Sequence, residues 1–341
     1  MSETPASLGY RMPAEWEKHD ATWLSWPKDP GTFPSDVLPK VEAAYVAMVR
    51  ALSEHEEVKV MVNDAKAQAR VSSMIRGEGR VSIVVLPTVD VWVRDYGPTY
   101  VRGRDLALVK WIFNAWGNKY DDLLPDEGAG VRMAESTGLR MFRPGVVLEG
   151  GSIDVNGSGT VLTTRQCLLN RNRNPELNKD GVEKVLMANL GVSNVIWLGE
   201  GIEGDDTDGH IDDVARFVAP REVVVAAERN AADANHGPLE NGRKILESAA
   251  DEAGRELNVT TIPMPEAVYA RDGRLPASHL NFYVGNGAVL VPTFGGKSDR
   301  EATRTLEGLF PRKRVIGIDC RALVYGLGTL HCVTQQVPAP P

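Results

Sequence analysis

The chain has 341 residues, 43% apolar and 25% charged, enough apolar side chain for a full core and enough to exclude disorder as its main state. Its 46 acidic against 38 basic side chains leave a net charge of −8, which disfavours nucleic acid and anionic membrane and mildly favours cationic ligands. Cys167, Cys320 and Cys332 are too few and scattered for a disulfide framework or a cysteine zinc site, and neither an export signal nor a run of about 18 apolar residues is present, so a cytoplasmic protein is expected.

In chain order, Val41, Ala44, Tyr45, Met48, Val49 and Leu52 fall on one face and predict an amphipathic helix over residues 39–54. β-Branched runs at 58–62, 81–86, 106–111, 161–164, 223–227 and 289–292 predict strands. Further helices are expected at 180–190, closed by Gly191, at 239–253, and at 300–310 with Ser298 or Asp299 as N-cap. No linker or low-complexity tract interrupts them, so a single mixed α/β domain over residues 1–341 is expected.

Four polar-rich segments share one plan: charged or amide residues, a strand, a turn and an apolar strand. They start at Arg94-Asp95, Glu149-Gly150-Gly151, His210-Ile211-Asp212 and Asn281-Phe282-Tyr283, and they turn at Gly103, Gly157, Pro220 and Asn286. A fifth unit would join the strand around Cys332 to residues 22–26. Repeats at this spacing suit a radial array whose inner strands meet on an axis, with an open α/β sheet as the alternative.

Five aspartates and His210 crowd residues 204–213, a pattern open to metal binding, to helix capping, or to an acid and a base on one strand face, His210 beside Asp212. Cys332 leaves a glycine-containing loop, whereas Cys167 and Cys320 lie in apolar runs and read as buried structural thiols. His331 adjoins Cys332, but alternation along a strand would face it away. Asp95 reads either as a salt bridge with Arg94 or as a carboxylate offered to a cation, with Trp92 as a flat aromatic surface. Glu149, followed by two glycines, is open to the same two readings.

Together these motifs resemble the agmatine deiminase family of guanidine-modifying enzymes almost from end to end. The resemblance rests on Met12-Pro13-Ala14-Glu15-Trp16, Trp92-Val93-Arg94-Asp95, Asn114-Ala115-Trp116-Gly117, Glu149-Gly150-Gly151, Arg173-Asn174-Pro175, Asp205-Asp206-Thr207-Asp208-Gly209-His210, Asn281-Phe282-Tyr283 and His331-Cys332 with Gln335-Gln336. It implies a five-bladed, pseudo-symmetric α/β-propeller of the pentein type, built from five degenerate ββαβ repeats, with the active site on its axis. It implies Cys332 as nucleophile, His210 as acid and base, Glu149 as the carboxylate orienting His210, and Asp95 and Asp212 as the pair holding a guanidinium, with no metal and no cofactor. The expected partner is a small cationic guanidino substrate, agmatine first; free or peptidyl arginine and amidino transfer are the alternatives, and homo-oligomerisation is left open. Leu327, Thr329 and His279 depart from the family pattern and are expected to flank the pocket.

Overall fold

The computed structural model describes residues 3–270 and 273–341. Five sheets repeat one order: a first, here called inner, edge strand antiparallel to the next, which is parallel to the one after it. They are Thr99–Arg102, Leu106–Val109 and Arg140–Phe142; Asp154–Val155, Thr160–Thr164 and Asn194–Leu198; Ala215–Ala219, Glu222–Ala227 and Asn258–Pro263; and Tyr283–Val284, Ala288–Thr293 and Arg314–Asp319. The fifth pairs the C-terminal strand Thr334–Pro338 with His19–Ser25, followed by Glu57–Val62 and Val81–Val85. The two ends of the chain therefore share a sheet, as the fifth unit required. A small hairpin pairs Tyr269–Ala270 with Gly273–Arg274.

Parallel neighbours cannot be joined by a tight turn, so the longer connections carry the principal helices. The first spans Leu38–Ser53 and buries Val41, Tyr45, Met48, Val49 and Leu52, the predicted stripe. Each such side chain removed from water stabilises the fold by about 1.5–3 kcal/mol. Asn178 caps the helix Lys179–Leu190 by accepting from the Gly181 amide at 2.9 Å, and Gly191 ends it at φ 66°. The next helix is His236–Glu247 and ends before the predicted 253, because the chain turns back to bridge Ala250 with Glu256. Neither Ser298 nor Asp299 is the N-cap of Ser298–Leu309: Lys297 holds that place, and Asp299 instead accepts from the Phe294 and Gly295 amides.

The polar starts of the units are not strands. Val93–Tyr96 is one helical turn, and Gly150–Ser152 and Ile211–Asp213 are 3-10 turns. Cys332 likewise lies in a turn, two residues before its strand. Tight turns let neighbouring side chains converge where extended backbone would alternate them. Among the described residues, no helix is long and apolar enough to cross a membrane.

Candidate active site

Asp95, Glu149, His210 with Asp212, Asn281 and Cys332 each lie in the few residues just ahead of the inner strand of one of the five sheets. Backbone and side-chain contacts tie these turns together: the Arg94 amide donates to the Cys332 carbonyl at 3.2 Å, and the Gly151 amide donates to Asp95 Oδ1 at 2.9 Å. Gly151 fits because it lacks a side chain. A Cβ there would lie 2.6 Å from His210 Nδ1 and 3.0 Å from both Asp212 Oδ2 and Asp95 Oδ1.

Cys332 lines a cavity of about 340 Å³ with Trp92, Asp95, Trp116, Tyr120 and the loop Gly326-Leu327-Gly328. Asn281 Nδ2 donates to its sulfur at 3.1 Å, and Asp212 Oδ2 lies 3.8 Å away. Burial pushes the Cys332 thiol well above its ordinary range, and the carboxylates of Asp212, Asp213 and Asp95 push it further. A cation in the cavity would oppose these carboxylates and favour ionisation of the sulfur.

His210 is buried and does not itself line the cavity. Burial lowers its basicity, but Asp95, the Cys167 sulfur and Asp212 more than reverse this and hold the imidazole well above its usual value. Its charged partners stand close, with Asp95 Oδ1 3.9 Å from Nδ1 and Glu149 Oε2 4.0 Å from Nε2. The expected Glu149–His210 hydrogen bond is thus not formed: 4.0 Å exceeds hydrogen-bond reach, and Glu149 Oε1 instead accepts from Arg173 Nε at 2.7 Å. Asp95 is raised by burial, eased by His210, and accepts from Trp116 Nε1 at 3.0 Å. Ala115, Trp116 and Asn118 all have positive φ, backbone strain that places this indole over the site.

The alternatives left open by sequence now resolve. Arg94 pairs with Glu15 at 3.3 Å and Gln336 at 2.7 Å, so the Arg94–Asp95 salt bridge is not made. The acidic run does not gather into one cluster. Asp205 accepts from the backbone of Thr207, Gly209 and His210, Asp206 accepts from Tyr120, and Asp208 pairs with Arg173 at 2.6 Å. Trp92 lines the cavity, its indole N–H donating to Asp90. Leu327 lines the cavity as expected, and Thr329 donates to Asn281 Oδ1 at 2.8 Å. His279 does not line it: its ring is buried against Phe294, 2.9 Å from the Pro292 carbonyl, because the Ala288–Thr293 strand stands beside it.

Sequence reasoning missed three contributors. Asn281 holds the sulfur. Arg173, wholly buried, joins Glu149 to Asp208. His331, set aside on strand alternation, bonds Asp212 Oδ2 at 2.7 Å and Glu15 Oε2 at 2.8 Å, since its backbone is a turn. The Asn281, Arg173 and Glu15 motifs were visible in the sequence, but the partners they touch lie tens to hundreds of positions away.

The sequence matches the Porphyromonas-type peptidyl-arginine deiminase family over residues 11–338. The chain belongs to that family. It is 38% identical to an agmatine deiminase of Stutzerimonas stutzeri, the alignment covering 100% of this chain and 98% of the relative. To the agmatine deiminase of Ectopseudomonas mendocina it is 37% identical, over 100% and 98%. The solved agmatine deiminase of Enterococcus faecalis superposes with a TM-score of 0.93 at 32% identity, covering 99% of this chain and 98% of that one. Family membership and fold therefore agree from one end of the chain to the other.

Proposed function

We propose that the protein is an agmatine deiminase, hydrolysing agmatine to N-carbamoylputrescine and ammonia. The observation that carries this reading is the charge of the cavity. Its walls include Asp29, Asp90, Asp95, Asp122 and Asp206 and, among the described residues, neither lysine nor arginine. Agmatine is cationic at both ends and suits such walls, whereas free arginine would bring its α-carboxylate among five aspartates with no lysine or arginine among the described residues of the wall to receive it. The names of the full-length relatives point the same way.

Asp95 and Asp212 hold the planar guanidinium through charge-assisted hydrogen bonds, and Trp92 and Trp116 flank it. The thiol of Cys332 loses its proton to solvent as the cation arrives, where it becomes the proton that turns the released ammonia into ammonium, and the thiolate attacks the guanidinium carbon to give a tetrahedral adduct. His210 donates its proton to one –NH2, which departs as ammonia and leaves an amidino-thioether on Cys332. The now neutral His210 takes a proton from water, whose oxygen adds to the same carbon. Collapse breaks the C–S bond, and the hydroxyl proton of the adduct passes to sulfur as the ureido product leaves, His210 having already regained its proton from water. Glu149, anchored by Arg173 and 4.0 Å from His210 Nε2, supports the charged imidazole through its field, with no hydrogen bond to it. The five like sheets, the fifth closed by the C-terminal strand, support one domain over residues 1–341 arranged as a five-bladed propeller with these residues on its axis.

Ammonia release should be measured on agmatine, free arginine and an arginine peptide, with product analysis in the presence of an added amine. Turnover of agmatine, abolished in Cys332→Ala while agmatine still binds, is the expected result. Turnover of arginine alone, transfer of the amidino group to the amine, or full activity of Cys332→Ala would overturn the assignment.

A further inference from the structure

We propose that Cys167, His210 and Glu149 form a binding site for a thiophilic divalent cation such as zinc, and that its occupancy inhibits the enzyme. One donor atom from each residue lies within 4.8 Å of the other two, and all three residues are buried. Two atoms at its centre, His210 Nε2 and Glu149 Oε2, stand 4.0 Å apart and lack a hydrogen-bond partner. Buried polar atoms left unpaired cost about 1–3 kcal/mol each, so a ligand that satisfies both is favoured.

The donors select the ion. Sulfur, imidazole nitrogen and one carboxylate oxygen suit zinc or cobalt, whereas magnesium and calcium want oxygen alone. Around a tetrahedral ion with Zn–N and Zn–O bonds of about 2.0–2.2 Å, those two atoms stand roughly 3.3–3.5 Å apart, so the 4.0 Å pair must close by about half an ångström and the set, within 4.8 Å, by about an ångström at most. Two of the three are already held. Cys167 sits in the turn Arg165–Leu168, its amide bonded to Thr164 Oγ1 at 3.2 Å. Arg173 occupies Glu149 Oε1 and leaves Oε2 turned towards the imidazole. Charge also balances: the ion enters with two positive charges as one proton leaves the Cys167 thiol and one leaves the His210 imidazolium, while the Arg173–Asp208 pair is unchanged.

Cys332 takes no part in this site. The inhibition rests on the proposed role of His210, because a metal on its nitrogen prevents proton transfer; the binding itself does not depend on that reading. Cobalt added to the full chain carrying Cys332→Ala and Cys320→Ser, which leaves Cys167 as the sole thiol, should bind one equivalent and give the near-ultraviolet absorption of a thiolate–cobalt bond. Adding Cys167→Ser should remove the band and weaken binding by about 100-fold or more, since loss of even an outer-sphere partner of a ligand costs about 10- to 100-fold. X-ray absorption on zinc-loaded protein should show one sulfur scatterer, a readout that stands even if the triple variant misfolds. In the otherwise wild-type enzyme, zinc should slow agmatine turnover and a chelator should restore it, whereas whatever turnover Cys167→Ser retains should be insensitive to zinc. A sulfur-free shell, no stoichiometric binding, or a band that survives Cys167→Ser would overturn the site. Metal binding without inhibition would leave the site standing and count against His210 as the proton carrier.

Discussion

Replacing Asp90 by Asn should flatten one part of the stability profile on the acid side. Asp90 is buried; its Oδ2 accepts from Thr32 Oγ1 at 2.6 Å and Trp92 Nε1 at 2.8 Å, and its Oδ1 from the Val91 amide at 2.8 Å. Burial outweighs these donors and pushes the carboxyl up from 3.8 to about 6. Between those values the folded protein keeps a proton that the unfolded chain has released, so the contribution is fully present below 3.8 and is lost as pH rises through about 6. At about 1.36 kcal/mol per pH unit, the loss amounts to about 3 kcal/mol between pH 4 and pH 7. The amide does not titrate; it also turns N–H towards donors, a pH-independent cost of about 1–3 kcal/mol. Urea unfolding of both proteins across this range should therefore show the wild type's advantage shrinking by about 3 kcal/mol from the acid end to neutrality. Parallel profiles would refute the protonation of Asp90. Because Asp90 lines the cavity, agmatine should also release protons on binding near pH 6, measurable by calorimetry in buffers of different ionisation enthalpy.

His331→Asn should raise KM for agmatine more than it lowers kcat and should destabilise the fold by about 3–5 kcal/mol, because it strips a partner from the buried carboxylates Asp212 and Glu15; wild-type KM and urea midpoint together would contradict this. Gly151→Ala should cut kcat/KM by about 100-fold while circular dichroism still reports a folded protein, since the added methyl would lie 2.6 Å from His210 Nδ1 and displace groups that must be placed closely. Near-normal turnover would mean that the three site groups are free to move apart. Asn281→Ala should slow alkylation of Cys332 by iodoacetamide by about 10- to 100-fold at neutral pH and move its pH profile upward, because a hydrogen bond to the charged sulfur is lost. An unchanged profile would show that Asn281 does not support the thiolate.

The hairpins were legible because their information is local. Apolar runs paired across turns at Gly103, Gly157, Pro220 and Asn286 are set by propensity and turn chemistry within about ten residues. Cys332 could be told from Cys167 and Cys320 by its glycine-containing loop, and the motifs, read together, pointed to His210, Glu149, Asp95 and Asp212. Errors clustered where a strand was assumed and the chain makes a turn. Asp95, His210–Asp212 and Cys332 all sit in such turns, which is why period-two alternation misplaced His331.

By itself, the sequence determined which residues carry charge, sulfur and imidazole, and which segments pair as hairpins, because those properties depend on side-chain type and near neighbours. Only the tertiary structure decided that Asn281 reaches the sulfur across 51 positions, that His331 joins Asp212 to Glu15 across 119 and 316, and that Glu149 faces Arg173 before it faces His210. Hydrogen bonds and charge pairs act over a few ångströms of space whatever the separation along the chain. Their partners were fixed only when five separate turns met.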